Sequence, residues 1–299
     1  MSTWNKVVIV GVGLLGGSVG LGLRKRGLAS EIVGVDRDPT ALRRAENSRA
    51  IDSSESSLPR AIAGAELVVL CTPIDFIPKS ALETLRDVNF AGVVTDVGST
   101  KRSIIAELNQ AIGSETESRF EDRPGKHSAP NMLSRFVGSH PLAGGERSGP
   151  EHADPDLFVD AVTILVPLPQ TTAATKQTIA SLWTSLGSRL ETLESDTHDQ
   201  IMAAVSHLPH LVASALSAST PQDALPFAAN GWRDSTRIAA GDAALWASIL
   251  LDNRDNLLAS INRFDAQVTQ LKTALQNRDR ETLLQLLQTG KNHRDSLGS

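Results

Sequence analysis

The 299-residue chain has no tyrosine, one cysteine and only seven phenylalanines. The missing tyrosine excludes no function class by itself. The lone Cys71 excludes an intrachain disulfide and fits a reducing cytoplasm. It ends the apolar run LVVLC, where a small buried side chain is the ordinary role. A long basic run is also absent: 29 Lys and Arg against 34 Asp and Glu give a net charge of −5, which argues against a nucleic-acid partner. Nor is there an unbroken apolar span. The one candidate, Val7–Leu23, is interrupted by six glycines. No small-residue cleavage site of the A-x-A kind follows it before Arg24, Lys25 and Arg26, so it reads as part of a folded domain, not as a signal or membrane segment.

What is present changes character along the chain. Through the first part, apolar β-rich runs (Val7–Val10, Ile32–Val35, Leu67–Leu70, Val93–Thr95, Phe136–Gly138, Val162–Val166) alternate with helical patterns (Leu14–Gly27, Pro39–Asn47, Ile74–Leu85, Lys101–Ile112). Strands apolar throughout and separated by helices predict a parallel, doubly wound sheet covered on both faces. The polar, patternless stretch between Ser114 and Arg135 reads as a surface excursion. After a further helix from Thr171 to Gly187 and a short run at Arg189–Leu193, β-rich runs stop. Amphipathic patterns follow at Thr197–Ser219, Leu245–Gln276 and Asp279–Thr289, with a frayed tail from Asn292. The expectation is therefore an α/β, Rossmann-like domain over residues 1–194 and an all-helical domain over 195–299.

The segment KVVIVGVGLLGGSVG places Gly11, Gly13 and Gly16 in G-x-G-x-x-G spacing after a β-run and at a helix start. Gly11 permits the tight turn, Gly13 lets a pyrophosphate approach the backbone, and Gly16 lets helix and strand pack closely. Asp36 ends the second run, where a carboxylate accepts hydrogen bonds from adenosine ribose hydroxyls and repels a 2′-phosphate. NAD is therefore expected; Arg37 beside it keeps NADP open. Gly11, Gly13, Leu14, Leu15, Gly16, Asp36, Arg37 and Thr72 are the candidate cofactor contacts.

Three more stretches put polar residues where a core has little use for them. TDVGSTK (95–101) ends a β-run and sets Ser99 at the carboxyl edge of the sheet, where ligands of open α/β folds bind. GSHPLAGGERSG (138–149) carries His140 on what reads as a flexible, polar loop. In THDQIMAAVSHLPHLVASAL, Ser206 and His210 lie four apart on one helical face, and Pro209 cannot bond the Val205 carbonyl. His198, His207 and His210 invite a metal reading, but no cysteine or carboxylate cluster completes a shell, so no metal is expected. GWRDSTRIA adds Arg233 and Arg237 ahead of a helix with Trp246. Arg147 could meet a substrate carboxylate or stay solvated, Arg233 could pair with Asp234 or a helix end or touch ligand, and His127 reads as solvated.

In this order, G-V-G-L-L-G-G-S, D-V-G-S-T-K, S-H-P-L-A-G-G-E-R-S-G, S-H-L-P-H and R-D-S-T-R-I-A resemble the prephenate/arogenate dehydrogenase family of tyrosine biosynthesis, over nearly the whole chain. The resemblance implies NAD(P)-dependent oxidative decarboxylation in a cytoplasmic homodimer joined through its helical domains. It implies His140 as catalytic base, Ser99 as the catalytic residue orienting the substrate hydroxyl, Arg237 as the grip on the ring carboxylate, and Ser206 and His210 as pocket-lining. A histidine of ordinary pKa near 6.5 suits a neutral-pH base. Prephenate and arogenate stay open as substrates. The alternative, a β-hydroxyacid dehydrogenase or imine reductase, often places a lysine on a long helix, and the C-terminal part has only Lys272 and Lys291. A non-catalytic NAD sensor would have no need of Ser99, His140 and Arg237 together.

Overall fold

The computed structural model describes residues 4–120, 132–145, 147 and 149–298. Among the described residues eight strands form one sheet: β1 Trp4–Val10, β2 Ala29–Val35, β3 Ser53–Ser54, β4 Leu67–Leu70, β5 Val93–Asp96, β6 Phe136–Pro141, β7 Val162–Pro167 and β8 Arg189–Thr192. Their spatial order is β3-β2-β1-β4-β5-β6-β7-β8. Helices α1 (Leu14–Lys25), α2 (Pro39–Asn47), α3 (Leu58–Ile62), α4 (Ile77–Arg86), α5 (Arg102–Phe120) and α6 (Ala173–Ser185) connect and cover them. The apolar alternation of β1 and β4 divides the core: Val7, Ile9, Leu67 and Val69 pack with Leu23 and Trp183 on one face. Val8, Val10, Val68 and Leu70 pack with Ile62, Ile77, Leu85 and Leu108 on the other. Successive side chains of a strand point to opposite faces, so both faces need a helical cover.

The sheet is mixed, which corrects the all-parallel expectation. β6 and β7 run antiparallel, with His140 opposite Ile164, whereas β7 and β8 are parallel to each other. Parallel neighbours need a crossover, usually a helix. Among the described residues of 142–161 the helical structure is a 3₁₀ turn at Pro150–His152, and the chain returns in the opposite direction. That pairing also extends β6 beyond Gly138, so His140 lies within a strand and is buried, not on a flexible loop.

The polar excursion begins later than expected, because α5 continues to Phe120. His127 and Glu146 lie outside the described residues. After β8 the chain is helical: α7 Ser195–Met202, α8 Leu208–Ser219, α9 Asn230–Thr236, α10 Ala243–Asp252, α11 Arg254–Asn277 and α12 Arg280–Asp295. The tail from Asn292 is helical as far as Asp295. Between α7 and α8, residues Ala203–His207 widen into a π turn whose Leu208 N–H reaches the Ala203 carbonyl. Pro209 has no N–H to give Val205, which makes the α register unavailable there. Ser195–Ser219 is long and apolar enough to cross a membrane by length and composition. Its His198, Asp199, His207 and His210 are nevertheless buried and hydrogen-bonded or stacked inside the molecule.

Candidate active site

The glycine-rich turn is shaped by two close approaches. Gly11 has φ +91°, and a Cβ there would stand 2.7 Å from the Cys71 carbonyl; a Cβ on Gly16 would stand 2.0 Å from the Gly11 oxygen. Both positions require glycine for packing. Gly13 differs: among the described residues, a Cβ there would meet nothing within 4 Å. It would fill only the cradle at the start of α1, whose first amides have no side-chain cap. Such uncapped amides are an anion site, and this geometry fits a dinucleotide pyrophosphate. Leu14 and Leu15 stand half-buried at the same helix start, and the Thr72 hydroxyl is buried without a partner beside Gly11. Asp36 accepts from Val12 N–H through Oδ2 at 2.9 Å and from Asp38 N–H through Oδ1 at 2.9 Å, which ties β2 to the glycine turn. Each oxygen keeps a second lone pair for a ribose hydroxyl. The exposed Arg37 places its guanidinium 5.3 Å from the centre of the Phe76 ring. Phe76, on the turn after β4, carries no motif in the sequence and was not a candidate.

The segment after His140 folds back over this turn: a Cβ on Gly145 would lie 3.9 Å from Leu14 Cδ2. The strand end bearing His140 and the start of α1 are therefore neighbours. His140 Nδ1 lies 2.9 Å from His198 Nε2, and His198 Nδ1 lies 2.7 Å from Asp199 Oδ1. Asp199 is held in turn by the first amides of α5, with Lys101 N–H donating to Oδ1 at 2.9 Å and Arg102 N–H to Oδ2 at 3.0 Å. A carboxylate that receives two amides can only accept, so His198 donates from Nδ1 and its neutral ring accepts at Nε2. His140 must then donate from Nδ1, which leaves its Nε2 as the lone-pair nitrogen.

The electrostatics agree with this assignment. Burial drives the His140 pKa well below its ordinary value, and the positive forms of His198, Lys101 and His207 push the same way. Burial also lowers His198, against the pull of Asp199. Burial raises Asp199, but the hydrogen bonds from His198, Arg102 N–H and Lys101 N–H outweigh it, and the carboxyl sits below its usual range.

Asn253 breaks the expected Leu245–Gln276 helix into α10 and α11. Its buried amide donates to the Asp199 carbonyl at 2.7 Å and meets His207 Nδ1 at 3.1 Å, and its oxygen accepts from Asn256. His207, pushed down to about 4 by burial, is thereby a neutral ring in the interior. His210 stacks on Trp246, with ring centroids 3.6 Å apart. Ser206 is half-buried in the π turn, so the two do not share a regular α face. Arg237 is exposed on the 3₁₀ turn Arg237–Ala240, which packs on α8. Arg147 and Arg233 are exposed as well. Ser99 follows β5 and is the one residue from Val94 to Lys101 that is not buried. The His198–Asp199 pair and Asn253 were missed by motif reasoning; the signal was adjacent imidazole and carboxylate at a helix start, and an asparagine inside an apolar repeat.

Residues 19–117 and 126–192 match the family described as "Prephenate dehydrogenase, nucleotide-binding domain", and residues 194–289 match "Prephenate dehydrogenase, dimerization domain". The chain is 29% identical to the prephenate dehydrogenase of Bacillus subtilis over 97% of its own length and 76% of that protein's. It superposes with a TM-score of 0.84 on the crystal structure of prephenate dehydrogenase from A. aeolicus in complex with hydroxyphenyl propionate and NAD+, at 29% identity and 98% coverage of both chains. Synechocystis arogenate dehydrogenase gives 0.76 at 28% identity, covering 98% of this chain and 99% of that one.

Proposed function

The chain belongs to the prephenate dehydrogenase family, and from that premise we propose that it catalyses NAD-dependent oxidative decarboxylation, of prephenate to 4-hydroxyphenylpyruvate or of arogenate to tyrosine, with His140 as the base. The observation that carries this reading is the buried His140–His198–Asp199 chain, which leaves a lone pair on His140 Nε2 beside the dinucleotide turn. Bound NAD supplies the hydride acceptor for the substrate C4 carbon. His140 Nε2 takes the C4 hydroxyl proton as the carbonyl forms. The charge it gains is shared through Nδ1 with His198, which Asp199 faces from the other side. Ser99 hydrogen-bonds the same hydroxyl or His140. Arg237 pairs with the ring carboxylate to orient it, and loss of that group as carbon dioxide aromatises the ring. His210 and Ser206 line the pocket. Gly11, Gly13, Leu14, Leu15, Gly16, Asp36, Arg37 and Thr72 hold the cofactor.

We assign residues 1–194 to the dinucleotide-binding domain and 195–299 to the helical one. The helical part leaves Phe227, Leu251, Leu258, Leu275, Leu284 and Leu287 exposed, a surface a second copy would cover. The lone cysteine supports a cytoplasmic setting. Lys272 and Lys291 are both exposed, which disfavours the lysine-dependent alternative.

The test is stoichiometric: with prephenate or arogenate, purified protein reduces NAD and releases one carbon dioxide per cofactor. Reduction without carbon dioxide would point to the β-hydroxyacid class instead. A second expected result concerns pH. The working form of His140 is neutral, and burial with its cationic neighbours disfavours the charged form. Protonation therefore removes activity only below the ordinary histidine pKa of about 6.5. The pH profile of kcat/KM should be level at neutrality with its acid limb below pH 6.5; a limb above that value contradicts the assignment. The same depressed folded pKa values of His140, His198 and His207 give stability that is present above the unfolded pKa and lost as pH falls through the folded values.

A further inference from the structure

We propose that Lys101 is a positioning residue for this reaction: its ammonium grips the carbonyls on either side of Ser99 and so fixes the turn that presents the Ser99 side chain. The inference rests on the reading of Ser99 and His140 given above. Lys101 is fully buried, a rare setting for a lysine unless it is paired. Its three ammonium donors have three acceptors: the Asp96 carboxylate, the Gly98 carbonyl at 2.8 Å and the Thr100 carbonyl at 3.1 Å.

Gly98 and Thr100 flank Ser99, so the turn is held from both sides. A trans peptide sets C=O and N–H on opposite edges, and the Gly98 carbonyl turned toward the lysine directs the Ser99 N–H away from it. Ser99, alone between Val94 and Lys101, then reaches the accessible edge of the sheet. The same ion pair reaches the strand that carries His140. Asp96 Oδ1 accepts the Ser139 N–H at 3.1 Å, Oδ2 accepts the Gly98 N–H at 2.9 Å, and a Cβ on Gly138 would stand 3.1 Å from Lys101 Cδ. The Lys101 backbone N–H binds Asp199, at the far end of the histidine chain. The contacts to the His140 strand and to Asp199 are made by the Asp96 carboxylate and the Lys101 backbone, which stay when the ammonium is removed, so the ammonium itself acts on the Ser99 turn. A buried ion pair is often no more stabilising than apolar groups of the same shape. Stability alone does not account for it; the three directed hydrogen bonds do.

The test is a double-substitution cycle in the full-length protein. Lys101→Met should leave the Kd for NAD unchanged and lower kcat on the order of 10²-fold, as small misplacements of reacting groups do. On a Ser99→Ala background the same substitution should cost less than about threefold, because the group it positions is already gone. Equal costs in the two backgrounds overturn the proposal. Methionine leaves Asp96 buried without its partner, so Asp96→Asn/Lys101→Met, which leaves no lone buried charge, goes through the same cycle should the single variant not fold. The failures are distinguishable. If Ser99→Ala alone leaves kcat intact, the assignment of Ser99 falls and the role of Lys101 falls with it. If Ser99→Ala lowers kcat and the costs simply add, only the role of Lys101 falls.

Discussion

Replacing His140 with asparagine lowers kcat by about 10²–10⁴-fold, the usual contribution of a positioned general base, while the Kd for NAD and the unfolding temperature stay near those of the parent. The choice of asparagine follows from the hydrogen-bond chain. Its amide nitrogen stands close to where Nδ1 stands and can donate to His198 Nε2, so the buried contact at 2.9 Å survives. What disappears is the nitrogen that accepts the substrate proton. The cofactor cradle is untouched, since the Gly11, Gly13 and Gly16 turn is built from backbone on another strand. Steady-state kinetics with a separate NAD titration checks it. A variant with near-parental turnover would remove His140 from the chemistry.

The second large effect falls on a residue with no expected contact to substrate. His198→Phe keeps a ring in the buried site but takes away the acceptor for the His140 Nδ1 proton. A buried N–H without a partner costs about 1–3 kcal/mol, and His140 can avoid that cost by moving its proton to Nε2. That tautomer offers a donor where the reaction needs an acceptor. We expect a kcat loss of about 10²–10⁴-fold, the range of a lost general base, with a histidine base held in the wrong tautomer at its upper end. His198→Gln, whose carbonyl oxygen can stand in for Nε2 as acceptor, should recover at least about tenfold of it. Equal activity in the two variants would show that the hydrogen bond to His140 Nδ1 is not what sets the rate. Measuring kcat for both, alongside thermal unfolding, separates these outcomes.

Much of the molecule was legible locally. The alternation of short apolar runs with helical patterns gave β1, β2, β4 and β5 and, between them, α1, α2 and α4, though not α3, because strands buried on both faces must be apolar throughout. The glycine spacing located the dinucleotide turn, since positive φ at Gly11 and close contact at Gly16 can be met only by a residue without a side chain. The resemblance to the prephenate dehydrogenase family came from motifs of adjacent residues and is supported over most of the chain.

Other features were not written in any local stretch. The reversal of β7 and β8 is a matter of strand pairing, and it moved His140 from a supposed loop into a strand. The partners of His140 lie far away in sequence: His198 is 58 positions on, and Asp199 is held by amides nearly 100 positions before it. A histidine pKa near 6.5 was the reasonable expectation from composition, and burial overturned it.

The period of each segment, the glycines, the order of the motifs and thereby the family were all readable from local stretches, because steric demands and repeat spacing act between neighbours in the chain. Which nitrogen of His140 carries the proton, why Lys101 is buried and where the helical half meets the sheet came from the folded arrangement. Those outcomes depend on desolvation and on directed bonds between distant residues, and such terms take their values only once the chain has closed around them.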